Sequence, residues 1–290
     1  MIRALAFLVG LLIAAPLAQS AAKVEAVSHV VIPVSDLRNA AAFYTSALSF
    51  VPGDAAEPSA IVLRLGREFI ELVPGHGRPI PANSRSNDRW FQHLAIVVSD
   101  IEQAYEIARR AGAVSISAEP QRLPDWNSPA AGIRAVYFRD PDGHPLELIQ
   151  YPAGKGEARW QQKDRLFLGI DHTAIAAGDT VASLAFYRDR LGLRITGQSE
   201  NWGVEQEQLS AVPAAHLRIT TLRGESGPGI ELLQYLTPQN GRPMPADTSP
   251  GDLWSEEIVV LADAPTNAGE RLHDPDGHAV RIVSGEESIR

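Results

Sequence analysis

The chain has 290 residues, 44% apolar and 21% charged, with a formal net charge of −9 and a pI near 5.4. This is the balance of a folded soluble protein with room for two ordinary domains. The acidic excess argues against a nucleic-acid binder, which needs a basic footprint, and gives no attraction to an anionic membrane. With no cysteine present, a disulfide scaffold, a lipid-modified N-terminal cysteine and a thiolate metal site are all excluded.

The first segment, "MIRALAFLVGLLIAAPLAQSAAK", places Arg3 before an apolar run from Ala4 to Ala15 and small residues before Lys23. It predicts a secretory signal peptide over 1–22, cut after Ala22, and a periplasmic or secreted protein with no membrane attachment after cleavage. The run is shorter than the ~20 residues of a membrane span.

"SHVVIPVSDLRNAAAFY", from Ser28, then reads as a β-branched strand, a turn and a helix capped by Ser35 or Asp36. "QHLAIVVSDIEQAYEIARRAG", from Gln92, repeats that plan: Ser99 and Glu102 form a capping-box pattern, Ala104, Ala108 and Ala111 keep helical spacing, and Gly112 supplies a stop. Short strands with Gly/Pro turns follow each helix. The Pro-rich loop Pro120–Gly132, with Trp126 and Asn127, reads either as a lid over a cavity or as an ordinary surface loop. In "YFRDPDGHPLELIQ", Pro141 and Gly143 mark a tight turn, repeated as "RLHDPDGHAVRIVS" near the C-terminus. His144 and His278 follow the turn in both copies and read as hairpin residues. The stretch Tyr151–Gly169, rich in glycine and charge, reads as a boundary, with 153–166 as the linker.

Beyond it the plan recurs. "GRPIPANSRSNDRW" (Gly77–Trp90) and "GRPMPADTSPGDLW" (Gly241–Trp254) are identical at seven of fourteen positions. Arg78 and Arg242 in these loops read as bridges between modules in preference to anion binders. "SENWGVEQEQL" (Ser199–Leu209) reads as a solvated strand–turn segment. The predicted class is α+β: four βαβββ modules, two in a domain over 23–152 and two in a domain over 167–290. The fourth module is truncated, because thirteen residues separate Val260 from Asp274 where forty-one separate Val98 from Asp140.

Strand alternation gives each module of the first half a His on its first strand and a Glu on its last: His29 with Glu71, and His93 with Glu147. Buried carboxylates are costly unless they are paired or bind a cation. Two Glu and two His make a neutral N2O2 site for one divalent ion, Zn, Ni, Mn or Fe(II). No HExxH, GxSxG, Walker A or GxGxxG motif is present.

With these residues in view, the chain resembles the vicinal-oxygen-chelate superfamily of glyoxalases, extradiol dioxygenases, epimerases and bleomycin resistance proteins. The resemblance rests on the repeated βαβββ plan, the "SHVVIPVSDL" and "QHLAIVVSDI" starts, and "FRDPDGHPLELI". It implies metal ligands at His29, Glu71, His93 and Glu147, with Glu147 or Glu71 moving a proton. In the second half His172 and Glu231 match His29 and Glu71, but Glu257 stands where His93 would be and Arg281 where Glu147 would be, so no similar site is expected there. Pairing of modules within each half is preferred on domain anatomy; pairing of modules two and three would instead supply His93, Glu147, His172 and Glu231. The implied function is a metal-dependent, glyoxalase-like lyase, isomerase or epimerase acting on a small oxygen-chelating molecule, as a monomer or homodimer. An extradiol-type Fe(II) dioxygenase and a non-catalytic small-molecule binding or resistance protein are the alternatives.

Overall fold

The alternation that marks the strands in the sequence also sorts their faces. In β1 (Val24–Val34) Val30, Ile32 and Val34 enter the core with the helices, while His29 and Val31 face away from it. The computed structural model describes residues 23–54, 59–263 and 269–285; the expected signal peptide, residues 1–22, lies outside them. Among the described residues no helix is long and apolar enough to cross a membrane.

Module one continues with α1 (Leu37–Leu48), β2 (Val51–Pro52), β3 (Ile61–Leu65) and β4 (Glu68–Pro74). Module two comprises β5 (Gln92–Val98), α2 (Ile101–Arg110), β6 (Val114–Ser115), β7 (Gln121–Arg122), β8 (Arg134–Arg139) and β9 (Pro145–Gln150). Module three holds β10 (Phe167–Ala176), α3 (Thr180–Leu184, continued as a π-helical stretch Ala185–Arg190), β11 (Arg194–Trp202), α4 (Val204–Ser210), β12 (His216–Arg223) and β13 (Gly229–Thr237). Module four retains β14 (Glu257–Ala262), the three-residue β15 (Arg271–His273) and β16 (Ala279–Val283), and no helix among its described residues. The α+β class and the four-module plan are as expected.

The pairing of modules is not as expected. β1 pairs antiparallel with β14, and β5 pairs antiparallel with β10. Modules one and four therefore share a seven-stranded sheet, in the order β15-β16-β14-β1-β4-β3-β2, here called sheet one. Modules two and three share a nine-stranded sheet, β11-β12-β13-β10-β5-β9-β8-β6 with β7 on β8, here called sheet two. The halves 23–152 and 167–290 are thus interleaved across both sheets. The physical reason lies in the segment read as a linker. Its glycine and charge conceal Trp160, which is buried against Ala95, Val97, Ile149 and Leu168 beneath Arg159, whose guanidinium sits 3.8 Å from the ring centroid. Arg159 is also tied to Glu68 at 2.5 Å. So anchored, the segment delivers β10 to the edge of β5.

Helices α1 and α2 lie between the sheets, where Phe43, Tyr44, Leu48, Ile101 and Ala104 join Val30, Ile32, Leu94, Ile96, Leu146 and Leu148 in one core. A second core places Phe186 and Tyr187 among Ile175, Ile230, Ile258 and Val280. The N-caps are Asp36, Asp100 and Asp179, each accepting from a backbone N–H of the first turn. The expected capping box does not form: Ser99 donates to the carbonyl of Arg165, and Glu102 pairs with Arg134. Gly112, just past α2, has φ +99°, in keeping with a stop there.

The GRP loops clasp one another reciprocally. Arg78 reaches Asp252 (2.7 Å) and Asp247 (3.1 Å) and lies over Trp254; Arg242 reaches Asp88 (2.6 Å) and Asn83 (3.1 Å) and lies over Trp90. Both arginines bridge modules. The two DPDGH turns also act structurally. Gly143 and Gly277 adopt φ +97° and +100°, which favour glycine. His144 Nδ1 lies 2.9 Å from Asp140 Oδ2, and its Nε2 lies 3.0 Å from the carbonyl of Pro33 and 2.9 Å from that of Leu253. With acceptors at both nitrogens, the ring is held as an imidazolium pinning β1 and the loop before β14.

Burial opposes that charge, but Asp140, with Glu256 and Asp142, outweighs it and raises the pKa of His144 to about 9. The folded protein holds this proton more tightly than the unfolded chain. The resulting stability is therefore complete below the ordinary value near 6.5 and is lost as the pH rises through about 9. His144→Ala should cost on the order of 3 kcal/mol and flatten the pH dependence of the urea midpoint between neutrality and that limit; a variant with the wild-type slope there would contradict this assignment.

Candidate metal centre

The face of sheet two turned away from α1 and α2 carries four polar side chains at corresponding heights. His93 on β5 is opposite Ala174, which is opposite Glu231 on β13; His172 on β10 is opposite Ala95, which is opposite Glu147 on β9. Two fully buried alanines thus separate the functional residues, and their small side chains leave space above the strands.

His93 Nε2 is 3.1 Å and His172 Nε2 3.3 Å from the same oxygen, Glu147 Oε2. The three side chains are buried, and their ligand atoms lie within 4.8 Å of one another. Glu231 Oε2 is 3.5 Å from His172 Nε2, and its other oxygen accepts from Thr221 at 2.7 Å. Burial would raise the pKa of Glu147, but the imidazoles of His172 and His93 outweigh it and hold the carboxyl down at about 2. Burial would likewise discharge His172, yet Glu231, Asp171 and Glu147 together raise its pKa well above the ordinary histidine value. His172 Nδ1 lies 2.9 Å from Asp171 Oδ2, and Asp171 is held in turn by Arg223 at 2.8 Å. This fixes the ring and leaves Nε2 pointing at the carboxylates, buried and without a hydrogen-bond partner.

The expected set of His29, Glu71, His93 and Glu147 is not brought together. His29 and Glu71 stand on sheet one, 3.4 Å apart, beside Glu257 and Arg281 from module four. The register repeats that of sheet two: Val259 lies between His29 and Arg281, and Val31 between Glu257 and Glu71. Valines thus stand where sheet two has alanines. Arg281 donates to Glu257 at 2.6 Å and comes within 3.7 Å of Glu71, and Arg271 also bonds Glu257. Burial lowers the pKa of His29, and the hydrogen bond with His29 lowers that of Glu71. A tethered guanidinium therefore supplies the positive charge among these carboxylates. Arg281→Gln should lower stability by about 2 kcal/mol in urea unfolding, since buried Glu257 loses one of its two arginines; an unchanged midpoint would show that Arg271 suffices.

A cavity of about 370 Å³ opens over Glu147, His172 and Glu231. Leu123, Pro129 and Ala130 from the Pro120–Gly132 loop line it, so that loop forms a wall of the cavity. Ser199–Leu209 is strand through Trp202, as expected, but continues as α4 instead of a turn and contributes Ser199, Asn201, Gln206 and Leu209 to the opposite wall. The walls are joined at Asn127, whose amide donates to Asn201 at 2.5 Å, and at Trp126 and Trp202, whose rings meet at a 35° tilt with centroids 4.0 Å apart. Sequence reasoning gave no role to Asp171, Arg223, Thr221 or Gln206; the acid directly before His172, where Ser28 precedes His29, was the available signal for the first. Trp126→Ala should cost about 1 kcal/mol and speed proteolytic cleavage within 120–132 in limited digestion. An equal digestion rate would mean that the ring contact does not hold the loop.

Comparison with known proteins agrees with this architecture. The family model described as the Glyoxalase/Bleomycin resistance protein/Dioxygenase superfamily matches residues 26–148 and 169–270. A 2-epi-5-epi-valiolone epimerase from an Actinomyces species is 34% identical over 153 residues, 44% of this chain and 81% of that protein. Metallothiol transferase FosB from Staphylococcus epidermidis is 27% identical over 130 residues, covering 43% and 82% respectively. Glyoxalase I from Zea mays superposes with a TM-score of 0.58 at 16% identity, over 89% of this chain and 92% of that one, a likeness of fold.

Proposed function

Since the chain belongs to the glyoxalase, bleomycin resistance protein and dioxygenase superfamily, we propose that sheet two carries a divalent-metal centre. The centre would catalyse proton transfer next to a carbonyl in a small oxygen-chelating substrate, as an epimerase, isomerase or lyase does. The observation that carries this reading is the convergence of His93 Nε2, His172 Nε2 and Glu147 Oε2 in one buried cluster. Two neutral imidazoles and a carboxylate suit Zn, Ni, Mn or Fe(II). Glu231 lies within reach as a fourth ligand or as a base beside the ion. Asp171 fixes the His172 ring, as outer-sphere partners of metal-bound histidines do.

A bound ion would act as a Lewis acid, polarising the substrate carbonyl and acidifying the adjacent C–H. The remaining work belongs to the protein. Glu231, its side chain 19% exposed against 6% for Glu147, faces the cavity more openly and takes the proton. In an isomerisation it returns the proton to a neighbouring atom, with no change of oxidation state; an epimerisation needs a second acid to deliver a proton to the opposite face of the same carbon. Thr221 orients that carboxylate, and the 120–132 loop shields it from bulk water. Export through residues 1–22 is part of the proposal and favours a substrate that does not require glutathione.

A second reading has its own observation. Two histidines and one carboxylate form the facial triad of non-haem Fe(II) oxygenases. In a dioxygenase Glu231 would stay out of the coordination sphere and leave positions open for dioxygen.

Elemental analysis of purified protein should find one divalent ion per chain. His93→Ala, His172→Ala and Glu147→Ala should each weaken it by at least about 100-fold, and Asp171→Asn by about 10-fold, while His29→Ala and Glu71→Ala retain it. Retention by the first three would overturn the centre. Solvent-deuterium exchange at the carbon next to a carbonyl supports the proton-transfer reading, and oxygen consumption with a catechol supports the dioxygenase.

A further inference from the structure

We propose that the sheet-two cavity selects an uncharged, multiply hydroxylated carbonyl compound of the cyclitol or sugar type, whose hydroxyl groups are read by Gln206 and the β11 wall. The inference rests on the metal centre proposed above for chelation of the carbonyl; its new content is the substrate class and the residues that recognise it.

The first argument is charge. Besides His172, two cationic side chains line the cavity, Lys155 and Arg223. Arg223 is held by Asp171 at 2.8 Å, with Glu157 at 3.8 Å. The Lys155 ammonium donates to the carbonyl oxygens of Ser128 at 2.7 Å and Pro129 at 3.0 Å. Arg223 is thus committed to carboxylates of the chain, Lys155 is anchored to the loop by two of its three N–H groups, and Glu147, Glu231 and Asp171 border the same space. A bound divalent ion would be offset by Glu147 and Glu231, so no strong positive field remains for an anionic substituent.

The second argument is an unmatched acceptor. Gln206 on α4 is 2% exposed and lines the cavity, and its side-chain oxygen is buried without a hydrogen-bond partner. A buried acceptor in a cavity wall calls for a donor, which a ligand hydroxyl supplies and a carboxylate or phosphate oxygen does not. Gln198 and Ser199 extend this polar wall along β11, while Leu123, Ile133 and Ile149 form an apolar surface within the same cavity. One polar wall and one apolar wall suit a ring that presents hydroxyls along one side and C–H groups on the other. The volume, about 370 Å³, is at the small end of ligand pockets.

The test is calorimetric titration of manganese-loaded protein, with metal content measured on the same samples. The probes are myo-inosose, a neutral pentahydroxylated cyclohexanone; cyclohexane-1,2-dione, neutral but without hydroxyls; and S-lactoylglutathione, anionic. Inosose is expected to bind most tightly. Gln206→Leu should weaken inosose by about tenfold and leave the dione unchanged, and Ser199→Ala, at a more open position, should weaken inosose by about threefold. Preference for the anionic probe, or equal inosose affinity in wild type and both variants, overturns the substrate class while metal content stays normal. Loss of metal from wild-type protein instead overturns the centre on which it rests.

Discussion

The antiparallel seam between β5 and β10 is the constraint on which the site depends. It joins two modules that are not partners within either repeat, and it brings the imidazoles of His93 and His172 onto one surface. Each side chain owes its position to its strand's register. A slip of one strand by one residue would turn its site residue into the helical core and away from the other three. Buried Trp160 in the connecting segment helps to hold that register. The residues that surround the centre then follow from the seam: Asp171 behind one histidine, Thr221 beside one carboxylate, and two alanines that leave room above the sheet.

Sheet one shows the same frame with a cation built into the chain. His29 and Glu71 persist at the heights of His172 and Glu231, but valine replaces both alanines and Arg281 supplies the charge from within the chain. A covalently attached cation needs no acquisition from solvent and keeps no position for substrate. Its carboxylate partners are satisfied, so shortening of the module does not strand a buried charge. One duplicated scaffold thus carries a candidate metal centre on one sheet and a self-neutralised cluster on the other.

Much of this was legible in the sequence. The strand–helix–strand plan, the fourfold repetition and the shortening of module four follow from periodicity and spacing, because those signals are local. His93 and Glu147 were also identifiable, as acid and imidazole on alternating strands. The partner module was not. Either pairing yields one complete set of two His and two Glu and one set spoiled by Glu257 and Arg281, so ligand counting cannot choose between them. Trp160, which anchors the connection on sheet two, sits inside a stretch whose composition imitates a flexible boundary. Cavity walls were the least legible, since Gln206 and Asn201 are recognised only once α4 and β11 face the 120–132 loop.

The exchange of modules also gives the chain a nested order of assembly. Sheet two closes across a short anchored segment, whereas β1 must wait for β14 near the other end of the described chain. Loop-closure entropy therefore favours formation of the inner sheet before the outer one. During synthesis β1 can pair with β4 of its own module, but its other edge stays unpaired until β14 arrives. Module four completes that edge, and its economy of length brings the closing strand sooner. A chain severed between the repeats would lose both seams at once, so the two halves can mature only as a single polypeptide or as fragments that find each other.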